Sequence, residues 1–122
     1  MSTKKSRKLT SQDYDALVAE HRKIIKEISL LFSETAQKLD DEGGFSDINS
    51  VLRHARERYR SLTIVKDAYS LAARLMESEA VHTIDELEGA LSADAYAEAD
   101  SLLMSSKEGV TKNLIHWLEN LY

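Results

Sequence analysis

Apolar residues recur every three or four positions through the first two thirds of the chain, in two blocks separated by a glycine pair. In the first block these positions are Tyr14, Val18, His21, Ile25, Ile28, Phe32, Thr35 and Leu39. In the second block they are Ile48, Leu52, Ala55, Tyr59, Leu62, Val65, Tyr69, Ala72 and Met76. This spacing is typical of one face of an α-helix. It predicts a helix over residues 11–41, a stop at Gly43-Gly44, and a second long helix that Ser46 caps.

Shorter helices are predicted beyond the second block. Thr83 and Glu86 have the spacing of a capping box, which predicts a third helix as far as about residue 91. Ser92 is a candidate cap for a fourth helix that ends near residue 104, and Thr111 for a fifth. No stretch shows the alternation of a β-strand. The predicted fold is therefore all-α, a long antiparallel hairpin followed by two or three shorter C-terminal helices in a bundle.

The chain is expected to form one helical domain over residues 11–122, with the hairpin over 11–80 and the short helices over 83–122. Residues 1–10 carry four cations and no acid, and we expect them to be a disordered basic head. Thr10 or Ser11 is the predicted cap of the first helix. Residues 119–122 match the start of a protease-recognition tag and could be a remnant of it. Leu118 and Leu121 fit the amphipathic pattern, which indicates instead that these residues belong to the native helix, so both interpretations stay open.

Composition narrows the classes of function. There is no proline and no cysteine, and the formal net charge is −5, with eight acids and no lysine or arginine between Glu77 and Asp100. No disulfide or thiolate metal site is available. No apolar run is long enough for a membrane span or signal peptide, so we expect an intracellular, soluble protein without membrane contact. A net acidic chain is unlike a general DNA-binding protein.

Residue patterns for catalysis or metal binding are weak. The histidines His21, His54, His82 and His116 are scattered one per segment. Glu79 and His82 have the Glu-x-x-His spacing of helical di-metal sites, but such a site needs a second copy and two further carboxylates. No nucleophile elbow or phosphate-binding loop is present. We expect no enzymatic activity, no cofactor and no metal.

Residues 62–76, "LTIVKDAYSLAARLM", are apolar around more than half of the helix, although packing against one neighbour needs a narrower stripe. In one interpretation the C-terminal helices fold back over the second apolar face and close a bundle. In the other, that face receives a helix of another protein, with Leu71, Leu75 and Met76 as anchors and Ala68 and Ala72 allowing close approach. A homodimer through the same face is a third possibility.

Two charged features suggest other functions. Arg53, Arg56 and Arg60 share a helix face, which is compatible with phosphate contacts to nucleic acid or with a solvated face that pairs with acids such as Glu57. The second interpretation is favoured because no exposed aromatic residues are interleaved with the arginines. The acidic stretch over residues 77–100 is also compatible with a small regulator that mimics DNA and binds a basic partner.

Several motifs resemble a known family. Tyr14-Asp-Ala-Leu17, then Arg58 and Arg60 leading to the run Asp67-Ala-Tyr-Ser-Leu-Ala-Ala73, and then "TIDELEGAL" are similar to the N-terminal helical domain of the non-SMC element four kleisins. These kleisins belong to the eukaryotic SMC complex of DNA repair, and the similarity covers about residues 12–92. Thr63-Ile64-Val65 departs from the family, which has an arginine-glutamate pair there, and no C-terminal winged helix is recognisable.

The resemblance implies that the second helix docks beside the coiled-coil neck of an SMC protein in the nucleus. If the chain is not a member of that family, the expected location is the cytoplasm. The predicted partner-binding residues are Asp67, Ala68, Leu71, Ala72, Leu75 and Met76.

Overall fold

The part of the chain that the structure describes forms four helices. The structure, a computed structural model, describes residues 6–42, 48–95 and 101–121, without the side chains of residues 41–42, 94–95 and 101–105. The helices are α1 (Ser11–Glu42), α2 (Ile48–Glu77), α3 (Ile84–Ala95) and α4 (Ser101–Glu119). Within these ranges the only strand-like pairing is one antiparallel bridge between Lys8 and Thr83. The all-α prediction is confirmed.

Helices α1 and α2 form the predicted antiparallel hairpin. At a rise of 1.5 Å per residue, the two helices are about 48 and 45 Å long. Tyr14 and Met76 line one pocket at one end of the hairpin, whereas Leu31 and Val51 line another pocket towards the other end. The predicted end of the first helix is correct within a residue. The predicted stop at Gly43-Gly44 and the predicted cap at Ser46 lie outside the described residues.

The core lies at one end of the hairpin, where α3 and α4 pack against α2. Its buried members are Leu17, Ala72, Val81, Ile84, Leu87, Leu91, Leu114, Ile115 and Leu118. The rings of Tyr69 and Trp117 meet edge to face, with centroids 5.4 Å apart, and join α2 to α4. Leu121 packs against the same core. We call residues 11–24 and 62–77, together with α3 and α4, the proximal half, and residues 25–42 and 48–61 the distal half.

Two predicted helix starts are wrong. Ser92 lies inside α3, and Thr111 lies in the middle of α4, which runs without interruption through Gly109. Thr111 is buried and continues the spacing of Leu114, Ile115 and Leu118, so burial of this stripe supports one helix. A glycine in an exposed helix position costs only about 1 kcal/mol, which that burial offsets.

The end of α2 and the start of α3 both have defined caps. After α2, the Ala80 N–H donates to the Leu75 carbonyl and the Glu79 N–H to the Met76 carbonyl, both at 3.0 Å, and Glu79 has a φ of 61°. These bonds make a Schellman motif in which glutamate occupies the left-handed position that usually holds glycine. At the start of α3, the Glu86 N–H donates to the Thr83 hydroxyl at 3.1 Å, which confirms the predicted cap.

The basic head differs from the expectation of disorder over residues 6–10, while residues 1–5 lie outside the described part. The Leu9 N–H donates to the His82 carbonyl at 2.8 Å, and the Ile84 N–H donates to the Arg7 carbonyl at 3.1 Å. The Arg7 guanidinium makes two 3.0 Å bonds to the fully buried Asp13 carboxylate and one 3.0 Å bond to the Leu118 carbonyl. We call Arg7, Asp13 and the Leu118 carbonyl the clasp. It orders the head because a buried carboxylate needs a charged partner.

Candidate interaction surfaces

The second apolar face of residues 62–76 is largely covered by the chain itself. Ala72 is 0% exposed, and Leu71, Leu75 and Met76 are half-buried against the core that α3 and α4 complete. The interpretation as a closed bundle therefore holds for most of this face, because α3 and α4 cover it. What remains accessible is a groove of about 370 Å³ between α2 and the C-terminal helices.

The predicted partner-binding residues do not form one surface. Asp67, Ala68 and Leu71 line the groove, opposite Leu91 and Val110, with Arg74 and Lys107 at its rim. Ala72 belongs to the core, and Leu75 packs against it. Met76 lines a different pocket, with Leu9 and Tyr14. A partner role for the six residues stays a prediction, and only the three groove residues share an accessible surface.

The distal half presents a different surface. No residue in 25–40 or 48–61 is buried. The large exposed hydrophobic side chains of the described residues all lie here: Ile25, Leu30, Phe32 and Tyr59. Phe32 and Tyr59 touch each other across the hairpin, with ring centroids 5.4 Å apart. Ile25 is seven residues before Phe32 and so lies on the same side of α1. We call Ile25, Phe32 and Tyr59 the apolar edge.

A groove lies on the other side of the distal half. Leu31, Val51 and Ala55 form an apolar floor, and Lys38, His54 and Arg58 lie around it, with a cavity volume of about 360 Å³. Leu31 and Arg58 immediately precede Phe32 and Tyr59, and one helical residue turns the side chain by about 100°. The groove and the apolar edge therefore face different directions and share no residue. We call this second surface the cationic groove.

The arginine face also lies in the distal half. Arg53, Arg56 and Arg60 are all exposed on α2, and so is Tyr59 next to Arg60, contrary to the expectation that no exposed aromatic residue lies among the arginines. Arg53 and Arg60 continue, at helical spacing, the side of α2 that Ile64 and Leu71 occupy farther along. This side changes from apolar to charged where the cover by α3 and α4 ends, so the structure accounts for the arginines as a solvated face.

The described histidine and carboxylate groups do not meet in a metal-binding cluster. Among the described residues, no cluster of three or more histidine, aspartate or glutamate side chains could hold a metal ion. Glu79 lies in the turn after α2, and His82 is exposed. Burial, together with the nearby Glu20 carboxylate, raises the pKa of Tyr69 to about 12, so its hydroxyl stays protonated at neutral pH.

Sequence reasoning placed the apolar edge inside the hairpin stripe and did not identify it as a surface. The signal was present, because Ile25, Phe32 and Tyr59 are large side chains in a region with no third helical block opposite them. The cationic groove was likewise missed. Its signal was the helical spacing of basic and apolar residues. Lys38 follows Leu31 by seven positions on α1, and His54 and Arg58 follow Val51 by three and seven positions on α2.

Comparison of the chain with protein-family models, with curated proteins and with solved structures finds no match. The resemblance to the kleisin domain therefore stays a prediction from the motifs. No helix in the described ranges has both the length and the hydrophobicity that crossing a membrane requires.

Proposed function

We propose that the protein is a helical interaction module that binds a helix or coiled coil of another protein through the apolar edge of the distal half. The observation that carries this proposal is the exposure of two aromatic rings in contact, Phe32 at 58% and Tyr59 at 44%, where none of the other described helices covers the hairpin. Contiguous exposed apolar side chains on a folded domain mark sites of association. Aromatic side chains are also frequent anchors of such interfaces.

The coiled-coil neck of an SMC protein is the partner that the resemblance implies. A neck helix lying along the hairpin would contact the apolar edge, and the groove at Asp67, Ala68 and Leu71 offers a second place of contact in the proximal half. Chromosome maintenance in the nucleus is the setting that such a partner implies. This finer proposal rests on the motifs alone.

The test substitutes Phe32 with serine and measures binding of a fluorescent SMC-neck coiled-coil fragment to the full chain by anisotropy. We expect affinity to fall at least about tenfold, because a buried aromatic anchor contributes more than 1.4 kcal/mol to binding. Leu30→Ser is the matched control, since Leu30 is also 58% exposed and lies on α1 but not on the apolar edge. Its affinity should stay unchanged.

Other outcomes separate the alternatives. Equal losses from Phe32→Ser and Leu30→Ser would contradict a specific edge. A dimer seen by light scattering, which Phe32→Ser dissociates, would assign the edge to self-association. Leu71→Asp tests the groove in the proximal half. If it abolishes binding without lowering helicity, while Phe32→Ser has no effect, the binding site is the groove instead.

A second candidate function uses the exposed Arg53, Arg56 and Arg60 face to contact nucleic acid. Replacing all three by glutamine should then remove most affinity for a DNA duplex, and the remaining binding should lose much of its salt dependence. If the triple variant binds duplex as the unchanged chain does, this candidate is wrong.

A further inference from the structure

The cationic groove has a chemistry that the apolar edge lacks. Its floor of Leu31, Val51 and Ala55 is apolar and half-buried, and the side chains around it are Lys38, His54 and Arg58. Arg58 forms an ion pair with Glu27 at 4.0 Å, and both side chains are well exposed. Such a pair contributes little, so the Arg58 guanidinium keeps donors for another carboxylate. Glu34 is exposed but does not line the groove.

We infer that the cationic groove binds an acidic amphipathic helix of another protein. An apolar stripe on that helix would cover Leu31, Val51 and Ala55. Carboxylates flanking the stripe would pair with Lys38 and Arg58, one on each helix of the hairpin. The groove shares no residue with the apolar edge, so this inference does not depend on the proposed function.

The groove fits this occupant better than it fits a second copy of the chain. The acids of this chain concentrate around α3, but the apolar residues of that helix, Ile84, Leu87 and Leu91, are buried in its own core. It therefore has no apolar stripe to offer. Pairing two copies groove to groove about a two-fold axis brings like-charged rims together, which opposes association.

Nucleic acid is also a poorer match to the floor. Phosphate contacts need cations and hydration, and they leave the apolar floor exposed or place it against charged oxygens. Among the described residues, no aromatic ring on which an unpaired base could stack lines the groove. An acidic amphipathic helix would cover the apolar floor and would also pair with the cations around it.

The experiment uses the full chain and a labelled peptide of about eighteen residues, with leucines at helical spacing and glutamates on both flanks. A matched peptide carries glutamine in place of every glutamate. Anisotropy should show the acidic peptide binding at least about tenfold more tightly than the glutamine peptide at low salt. The double variant Lys38→Glu/Arg58→Glu should remove this preference, and Lys26→Glu should change it less than about twofold, because Lys26 is exposed on α1 but does not line the groove.

Each contrary result overturns the inference. The first is an acidic peptide that binds no better than the glutamine peptide. The second is a Lys26→Glu variant that loses as much affinity as the double variant. A DNA duplex that displaces the peptide would instead assign the groove to nucleic acid. Phe32→Ser should leave peptide affinity unchanged, so failure here and failure of the proposed function are separately visible.

Discussion

The two halves of one hairpin show how differently the same helical pattern can be used. Leu17 and Leu31 lie on the same side of α1, yet Leu17 is 0% exposed and Leu31 is only half-buried. The difference comes from α3 and α4, which cover only the proximal half. A two-helix contact alone buries one narrow stripe on each helix, so full burial needs a third layer. Apolar periodicity therefore predicted helices in both halves but did not predict which half would contain the core.

Helix α2 reflects this division in its own sequence. Where the C-terminal helices cover it, its second side carries Ile64, Ala68 and Leu71. Where they do not, the corresponding side carries Arg53 and Arg60, which are exposed. The apolar surplus over residues 62–76 thus serves mainly the chain's own fold. The described residues of α3 and α4 leave the apolar edge of the distal half exposed.

The largest expected effect comes from truncating one leucine in each half. Leu17→Ala should lower the free energy of unfolding by about 3 to 4 kcal/mol, because it opens a cavity in a closed core. Leu30→Ala should change it by less than about 0.5 kcal/mol, since that side chain is mostly in water already. Urea unfolding followed by circular dichroism measures both. Comparable losses would mean that the distal half is covered in solution, for example by a second copy.

The sequence was sufficient for the elements that local signals define. The hairpin follows from two periodic stripes, and the start of α3 follows from Thr83 and Glu86. Ser92 and Thr111 misled because a serine or threonine inside a helix has the same side chain as one at its start, and only burial of the surrounding stripe distinguishes the two positions. The clasp was beyond sequence reasoning, since Arg7 and Leu118 are 111 residues apart and no periodicity links them.

The apolar edge and the cationic groove were only half predictable. Their apolar residues were in the predicted stripes, but which side of the hairpin each residue faces depends on how α1 and α2 are rotated against each other. That rotation is set by the packing of Leu17, Ile24 and Leu62, the buried residues of the hairpin interface. Of the predicted partner residues, Ala72 is buried in the core and Leu75 packs against the core, because α3 and α4 cover both.

Breaking the clasp should have the next largest effect on the free energy of unfolding, and this effect should depend on pH. Asp13→Asn leaves Arg7 half-buried without its carboxylate and should lower the free energy of unfolding by about 2 kcal/mol at neutral pH. Burial alone would raise the pKa of Asp13, but the hydrogen bonds from Arg7 and Thr10 outweigh it, so the pKa lies below its usual value. Because the folded pKa is depressed, this stabilisation is complete above the unfolded value, about 3.9, and is lost as pH falls through the folded pKa.

The measurement is urea unfolding of the unchanged chain and Asp13→Asn at several pH values from neutral to acid. The gap in stability between the two should narrow below about pH 4, where the carboxylate of the unchanged chain begins to be protonated. Asp15→Asn is the control, because Asp15 lies in the same first turn but is exposed. A gap that stays constant down to the lowest pH would show that the charge of Asp13 is not what stabilises the proximal half.

The smallest expected effect is a gain, at the turn that leads from α2 to α3. Glu79 has a φ of 61°, a left-handed conformation that costs a residue with a Cβ about 1 kcal/mol relative to glycine. Glu79→Gly should therefore raise the free energy of unfolding by up to about 1 kcal/mol, less the entropy that glycine adds to the unfolded chain. Glu77→Gly, two residues earlier and still helical, should lower it by about 0.5 to 1 kcal/mol. If both substitutions destabilise equally, the Schellman turn does not persist in solution, and the placement of α3 and α4 over the proximal half would need another anchor, such as the clasp.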